Sequence, residues 1–320
     1  MNSPILQVRQ LVRHFGPVRA VDDISFELFP GQSVGLIGAN GAGKTTAMRM
    51  LTTLDVPDSG EIIIDGIDAL KSPEKVRTLI GWMPDAISLP PMTTVRDYID
   101  FFARAYGLVG DHRVSEVSRV LEFCHISDLQ NRKVTKLSKG QEQRLSLART
   151  LIGNPRLLIL DEPAAGLDPK ARVEFKQLVQ TLLKEGKTLL ISSHILSELS
   201  EMCDTMIFMN DGKIIRQGNR EELARGEQEG TCIRLAVAGD NAGLTLHLQE
   251  SERWKVQQVT PQSVTALFLS DDPQKLADEL RELCAAFPIC EFAHCTRALE
   301  DTFIDILNHA ANDRTAPSAS

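Results

Sequence analysis

Residues 38–45 read Gly-Ala-Asn-Gly-Ala-Gly-Lys-Thr and follow directly on the apolar run Ser33-Val34-Gly35-Leu36-Ile37. Gly38, Gly41 and Gly43 admit positive φ and close backbone approach, so the N–H groups along Ala39, Asn40, Ala42 and their neighbours can turn inward on an anion. Lys44 is spaced to reach the outer phosphates of a bound nucleotide, and the Thr45 hydroxyl to ligate Mg²⁺. A helix opening at Thr45-Thr46 adds its positive dipole end to the same pocket. Strand, loop and helix in this order predict a nucleoside triphosphate site.

Further along, Leu157-Leu158-Ile159-Leu160 delivers Asp161 and Glu162 to the carboxyl end of a strand, where open parallel sheets place their ligand sites. Asp161 suits the Mg²⁺ shell, and Glu162 is positioned to orient or deprotonate an attacking water. The next strand ends Ile191-Ser192-Ser193-His194, so His194 can donate a hydrogen bond to the terminal phosphate or polarise the water. In Ser138-Lys139-Gly140-Gln141, Ser138 caps a helix expected to begin near Gln141, and Gly140 leaves backbone N–H groups open. One nucleotide needs one such helix start, so this second one is expected to serve a nucleotide held by another copy.

These residues need an α/β scaffold. Alternating segments at 6–9 and 24–28 and the apolar stretch 80–83 read as strands, and 60–66 as a strand closed by a tight turn. Runs that are apolar at every position, 157–160 and 188–191, suit a parallel sheet buried on both faces, and the helix expected over 173–184 joins them as a βαβ unit. Val95, Tyr98, Ile99, Phe102 and Tyr106 share one helical face, and a second helix follows through Val117 and Leu121. A helical subdomain over about 93–149 is therefore expected, within a first domain over 1–225. Asn210-Asp211-Gly212 predicts a hairpin. Past a linker at 227–230 come strands at 233–237, 254–259, 264–269 and 289–292, with helices at 273–286 and 299–307. This is a separate α+β domain over 226–310, followed by a small polar tail, 311–320, expected to be disordered.

The chain has 320 residues and a net charge of −8, enough for two domains and no basic stripe for nucleic acid. No segment reads as a secretory signal or has the apolar length to cross a bilayer. The six cysteines form no CxxC pair, which suits a reducing cytoplasm, and Cys284, Cys290, His294 and Cys295 match no zinc spacing.

The five elements Gly38–Thr46, Leu137–Gln141, Leu157–Glu162, Gly166-Leu167-Asp168 and His194 occur in the order of the ATP-binding subunits of ABC transporters, which the chain resembles over residues 5–220. The resemblance implies a P-loop NTPase (RecA-like) core with an antiparallel β part and a helical subdomain. It further implies two copies closing head to tail over two ATP molecules with Mg²⁺. It assigns Phe15 to adenine stacking, Lys44 and Thr45 to phosphate and Mg²⁺, Asp161 to Mg²⁺, Glu162 as catalytic base and His194 as switch. Ser138, Lys139, Gly140 and Gln141 would meet the partner copy's γ-phosphate, Lys139 replacing the usual second glycine, and Asp168 would cross the interface. Asp85 stands where the family usually has glutamine; its carboxylate either holds Mg²⁺ through water or weakens coupling. The ending Arg297-Ala298-Leu299-Glu300-Asp301-Thr302-Phe303 resembles the accessory domain of an exporter branch that works with a separate membrane permease. That implies an ATPase seated peripherally on the cytoplasmic face of the inner membrane, docking near Trp82, Asp85 and the helix at 95–106. The competing readings are a soluble ATPase of translation or DNA metabolism and a hydrolysis-poor regulatory subunit. A single phosphate loop, no sustained heptads and the acidic balance disfavour the first; intact Glu162 and His194 disfavour the second.

Overall fold

The computed structural model describes residues 3–219, 222–223, 230–270 and 272–294. The chain divides into two compact units between Asn219 and Arg220, ahead of the 225/226 boundary expected from composition.

The first unit holds two sheets. Strands β1 (Leu6–Phe15), β2 (Val18–Leu28), β4 (Ser59–Ile64) and β5 (Ile67–Asp68) form an antiparallel sheet in the order β2-β1-β4-β5. Strands β3 (Ser33–Ile37), β6 (Ile80–Met83), β7 (Leu157–Leu160), β8 (Thr188–Ser193), β9 (Thr205–Asn210) and β10 (Lys213–Asn219) form the other, in the order β10-β9-β3-β8-β7-β6. All its pairs are parallel except the β9–β10 hairpin. Asp211 (φ 47°) and Gly212 (φ 80°) supply the two left-handed residues that a two-residue hairpin turn demands. Strands β3, β7 and β8 are buried at every position, which is why their apolar residues run on without alternation, with buried hydroxyls only at Ser33, Thr188, Ser192 and Ser193. Helix α1 (Lys44–Leu51) buries Ala47, Met48, Met50 and Leu51 in one core shared by both sheets.

Beyond α2 (Pro73–Arg77), the helical subdomain comprises α3 (Val95–Ala105), α4 (Gly110–Phe123) and α5 (Lys139–Leu151), linked by two 3₁₀ turns. Thr94 starts α3 by accepting a hydrogen bond from the Asp97 N–H at 3.2 Å. Helix α6 (Pro169–Lys184) joins β7 to β8 and begins four residues before the expected 173, because Asp168 caps it and Pro169 fits its first turn. The short α7 (Leu196–Ser200) follows β8.

The second unit runs β11 (Thr231–Val237), α8 (Ala242–Glu250), β12 (Trp254–Val259), β13 (Ser263–Phe268), α9 (Pro273–Ala286) and β14 (Ile289–His294). Its antiparallel sheet has the order β12-β13-β11-β14, the split βαβ arrangement. Sequence patterning leaves α8 unassigned, because Leu244, Leu246 and Leu248 alternate as a strand would. The structure buries Leu244 and Leu248, four residues apart on one helical face, and leaves Leu246 57% exposed. The helix expected over 299–307, the tail 311–320 and Cys295 lie outside the described residues. Among the described residues, no helix is long and apolar enough to cross a membrane.

Leu235 lies in the central strand β11 with no exposed surface. Leu235→Ala is expected to cost about 2–5 kcal/mol, seen in urea unfolding as a lower midpoint for the second unit.

Candidate functional site

Register places the chemistry. Because β3, β7 and β8 run parallel, with Leu36 beside Ser192 and Leu160 beside Ile191, the segments that leave them emerge at one edge of the sheet. The phosphate loop follows β3, Asp161-Glu162 follows β7, and His194 follows β8.

Within the loop the glycines act differently. Gly41 (φ 86°) and Gly43 (φ 101°) occupy the left-handed region, and a Cβ on Gly43 would lie 2.0 Å from the Ala20 carbonyl oxygen. Gly38 has no positive φ; it is required because a Cβ there would meet the Met209 carbonyl oxygen at 2.3 Å. Ala42 is buried, whereas Ala39, Asn40 and Gly41 form the exposed rim and Thr46 is half-buried. Lys44, itself buried, donates from Nζ to the Gly38 carbonyl at 2.7 Å and to that of Ala39 at 3.3 Å. The same Nζ is 3.4 Å from Glu162 Oε1.

Asp161 is the hub, with 1% of its surface exposed. It accepts from the Thr45 hydroxyl at 2.8 Å and from the Ser192 hydroxyl at 2.6 Å. Burial is the main force pushing its carboxyl above the ordinary range; the two hydroxyls pull it down, and the charges of Glu162 and Asp85 push it up again. Ser192 is fully buried and also accepts the Glu162 N–H at 2.9 Å. Glu162 sits at φ 47°, a left-handed conformation costing about 1–2 kcal/mol for a residue with a Cβ. That turn directs Glu162 away from Asp161 and puts its Oε2 2.9 Å from His194 Nδ1. Sequence reading passed over Ser192, which resembles a spacer in an apolar strand. Its signal is the pair Ser192-Ser193, which ends the Leu189-Leu190-Ile191 run directly ahead of His194.

Lys44, Thr45, Asp161, Glu162 and His194 therefore form one connected cluster. Ser138, Gln141 and Asp168 make their hydrogen bonds elsewhere. The Ser138 hydroxyl accepts from Gln141 N–H while the Gln141 side chain accepts the Ser138 N–H, a reciprocal cap on α5. That helix starts at Lys139, two residues before the expected Gln141, and Lys139 stays largely exposed, 3.9 Å from Glu142. Gly140 lets α5 approach α6: a Cβ there would touch the Ala171 Cβ at 3.0 Å. Asp168 accepts from Ala171 N–H at 2.9 Å. Phe15 is 48% exposed beside Arg13, and Asp85 is exposed just beyond β6. A buried cation, loop N–H groups and a carboxylate–hydroxyl pair together suit a polyphosphate and a hard dication.

The sequence model of the ABC transporter family matches residues 21–165. The Nod factor export ATP-binding protein I of Ralstonia nicotianae is 34% identical over 98% of this chain and 96% of that protein. This chain belongs to the ATP-binding subunits of ABC transporters. It is thus an ATP-binding and ATP-hydrolysing cassette. The fold matches CbiO1 of Clostridium perfringens, part of the ABC transporter complex CbiONQ, with TM-score 0.63 and 31% identity over 69% of this subunit and 91% of that chain. It also matches the ATP-binding cassette MJ0796, solved as a dimer in a post-hydrolysis state bound to ADP and Pi. There the TM-score is 0.61 and the identity 25%, over 67% of this subunit and 98% of that chain.

The raised carboxyl of Asp161 has a measurable consequence. Its ordinary pKa is 3.8. Where the folded value exceeds the unfolded one, the protonated group's stabilisation is complete below the unfolded pKa and is lost as the pH rises through the folded one. Asp161→Asn in the subunit without nucleotide should raise the melting temperature at pH 7.5, by about 2–4 °C for each kcal/mol relieved. The gain should shrink as the pH is lowered toward 4. Scanning calorimetry at several pH values checks both.

Proposed function

We propose that this subunit uses Mg²⁺ and ATP to drive export through a separately encoded membrane permease, two copies closing head to tail over two nucleotides. The observation that carries the reading is the single cluster of Lys44, Thr45, Asp161, Glu162 and His194 at the carboxyl ends of three neighbouring strands, joined by hydrogen bonds through Ser192 and by the Lys44–Glu162 ion pair. Thr45 and Asp161 offer the oxygen donors that Mg²⁺ prefers, and Mg²⁺ would neutralise charge on the outer phosphates. Lys44, the loop N–H groups and the α1 N-terminus receive the phosphates, and Phe15 receives the adenine. Glu162 takes a proton from the attacking water, with its carboxylate held by His194 on one side. Ser138, Lys139, Gly140 and Gln141 open an anion-binding helix start that meets the nucleotide of the other copy, and Asp168 stands beside it. The side-chain hydrogen bonds of Ser138 and Asp168 stay within their own helix starts and make none to the local phosphate loop. Asp85 adds a second carboxylate near Asp161, an outer-sphere partner for the metal through water. The relative named for Nod factor export supports the direction of transport, and the dimeric cassette supports the pairing.

A cleft of about 430 Å³ between the core and the helical subdomain supports the docking of a permease, and with it a place on the cytoplasmic face of the membrane. Trp82, Phe102, Tyr106 and Leu54 line it, with Arg149 stacked 4.5 Å from the Phe102 ring; Asp85 is not among its lining residues. An apolar helix of the permease would fill such a groove.

Glu162→Gln should retain ATP, lose turnover and run as a dimer with Mg·ATP in size exclusion with light scattering, beside a hydrolytically active parent. Monomers throughout, with no turnover by the parent, would favour the hydrolysis-poor regulatory reading instead. Phe102→Glu should leave the ATPase of the isolated subunit within about twofold, as surface changes do, and abolish co-purification with the permease.

A further inference from the structure

We propose that Asp58 is a positioning residue for nucleotide binding: through Arg13 it sets the Phe15 ring, and so tunes affinity for the base separately from the phosphates. This rests on the reading of Phe15 as the ring that receives adenine.

The end of β1 is paired irregularly with its neighbours. Its register with β4 slips between Arg9 and Val12, and its register with β2 slips between Leu11 and Arg13 and again between Arg13 and His14. The backbone of Phe15 is paired with Val18, but its ring is 48% exposed, and the residue is followed by Gly16 at φ 58°, so the ring has little packing to fix it. Asp58 supplies the missing constraint from the loop ahead of β4. Its N–H donates to the Val12 carbonyl at 2.8 Å. Its Oδ2 accepts the His14 N–H at 2.6 Å, and its Oδ1 accepts from Arg13 Nη1 at 2.8 Å. Three consecutive residues are therefore tied to one side chain and its own backbone. The guanidinium so held lies over Phe15, its central carbon 4.7 Å from the ring centroid. A cation on one face of a phenyl ring is attracted by the ring's quadrupole, which pins the ring and leaves the opposite face for a planar partner. A purine stacked there would meet a pre-oriented surface, and ordering that need not occur on binding is affinity retained. None of these side chains hydrogen-bonds to Lys44 or Thr45, so the arrangement is expected to act on the base more than on the phosphates.

The test is calorimetric titration of the full chain with Mg·ATP and, separately, with Mg·tripolyphosphate, which has phosphates and no base. Phe15→Ala should weaken ATP about tenfold or more, the usual loss when a base loses its stacking ring, and leave tripolyphosphate unchanged. Asp58→Ala should weaken ATP about three- to tenfold, part of that same effect, leave tripolyphosphate unchanged, and add nothing in the Phe15→Ala background. Arg13→Met keeps the Asp58–His14 bond and should reproduce the pattern, which secures the test if Asp58→Ala folds poorly. The proposal is overturned if Asp58→Ala and Arg13→Met leave ATP binding intact, weaken both ligands equally, or add in full to Phe15→Ala. If Phe15→Ala itself binds ATP as the parent does, the base-stacking reading fails instead.

Discussion

A carboxylate that is almost wholly withdrawn from water organises this cassette. Asp161 closes strand β7 between two hydroxyls, Thr45 from the first turn of α1 and Ser192 from β8. An isolated ionised carboxylate in such a place costs several kcal/mol, so the surrounding chain must supply donors or a cation. The fold does this by making three strands parallel neighbours, so that hydroxyls 116 and 31 residues away in sequence reach the same carboxylate. The burial that pushes the Asp161 carboxyl up is the same burial that would make a bound cation welcome there.

Ser192 extends that constraint to the catalytic candidate. By donating to Asp161 and accepting from the Glu162 N–H, it fixes the backbone at the point where the chain turns left-handed. Two adjacent acids would otherwise alternate across a strand. Here the turn sends one toward Thr45 and the other toward His194 and Lys44, which is how neighbouring carboxylates take up different tasks. The helical subdomain presents a second helix start, closed by the reciprocal Ser138–Gln141 cap and packed through Gly140 against Ala171 of α6.

What was legible in the sequence was local. The phosphate loop is a contiguous run whose glycines are required by backbone geometry, and the β9–β10 hairpin is announced by Asn210-Asp211-Gly212. Strands buried on both faces and amphipathic helices α3 and α4 declare themselves by periodicity. What stayed hidden depends on distant contacts or on topology. Ser192 looks like any strand residue until β7 lies beside it. Asp58 looks like a turn residue until β1 and β4 pair. Helix α8 alternates like a strand, yet a split βαβ unit needs a crossover between β11 and β12, and helical packing of Leu244 and Leu248 provides it.

The central claim is that each ATP is hydrolysed in a site completed by the second copy. The most direct measurement mixes two inactive variants, Lys44→Ala, which lacks the phosphate-binding cation, and Ser138→Arg, which blocks the capped start of α5. In a head-to-tail pair of one of each, both lesions fall in the same site and the other site is intact. The account predicts that each variant alone is inactive and that ATPase activity returns on mixing. Mixtures that stay inactive at every ratio and concentration, from variants that each still bind as folded chains, would contradict it.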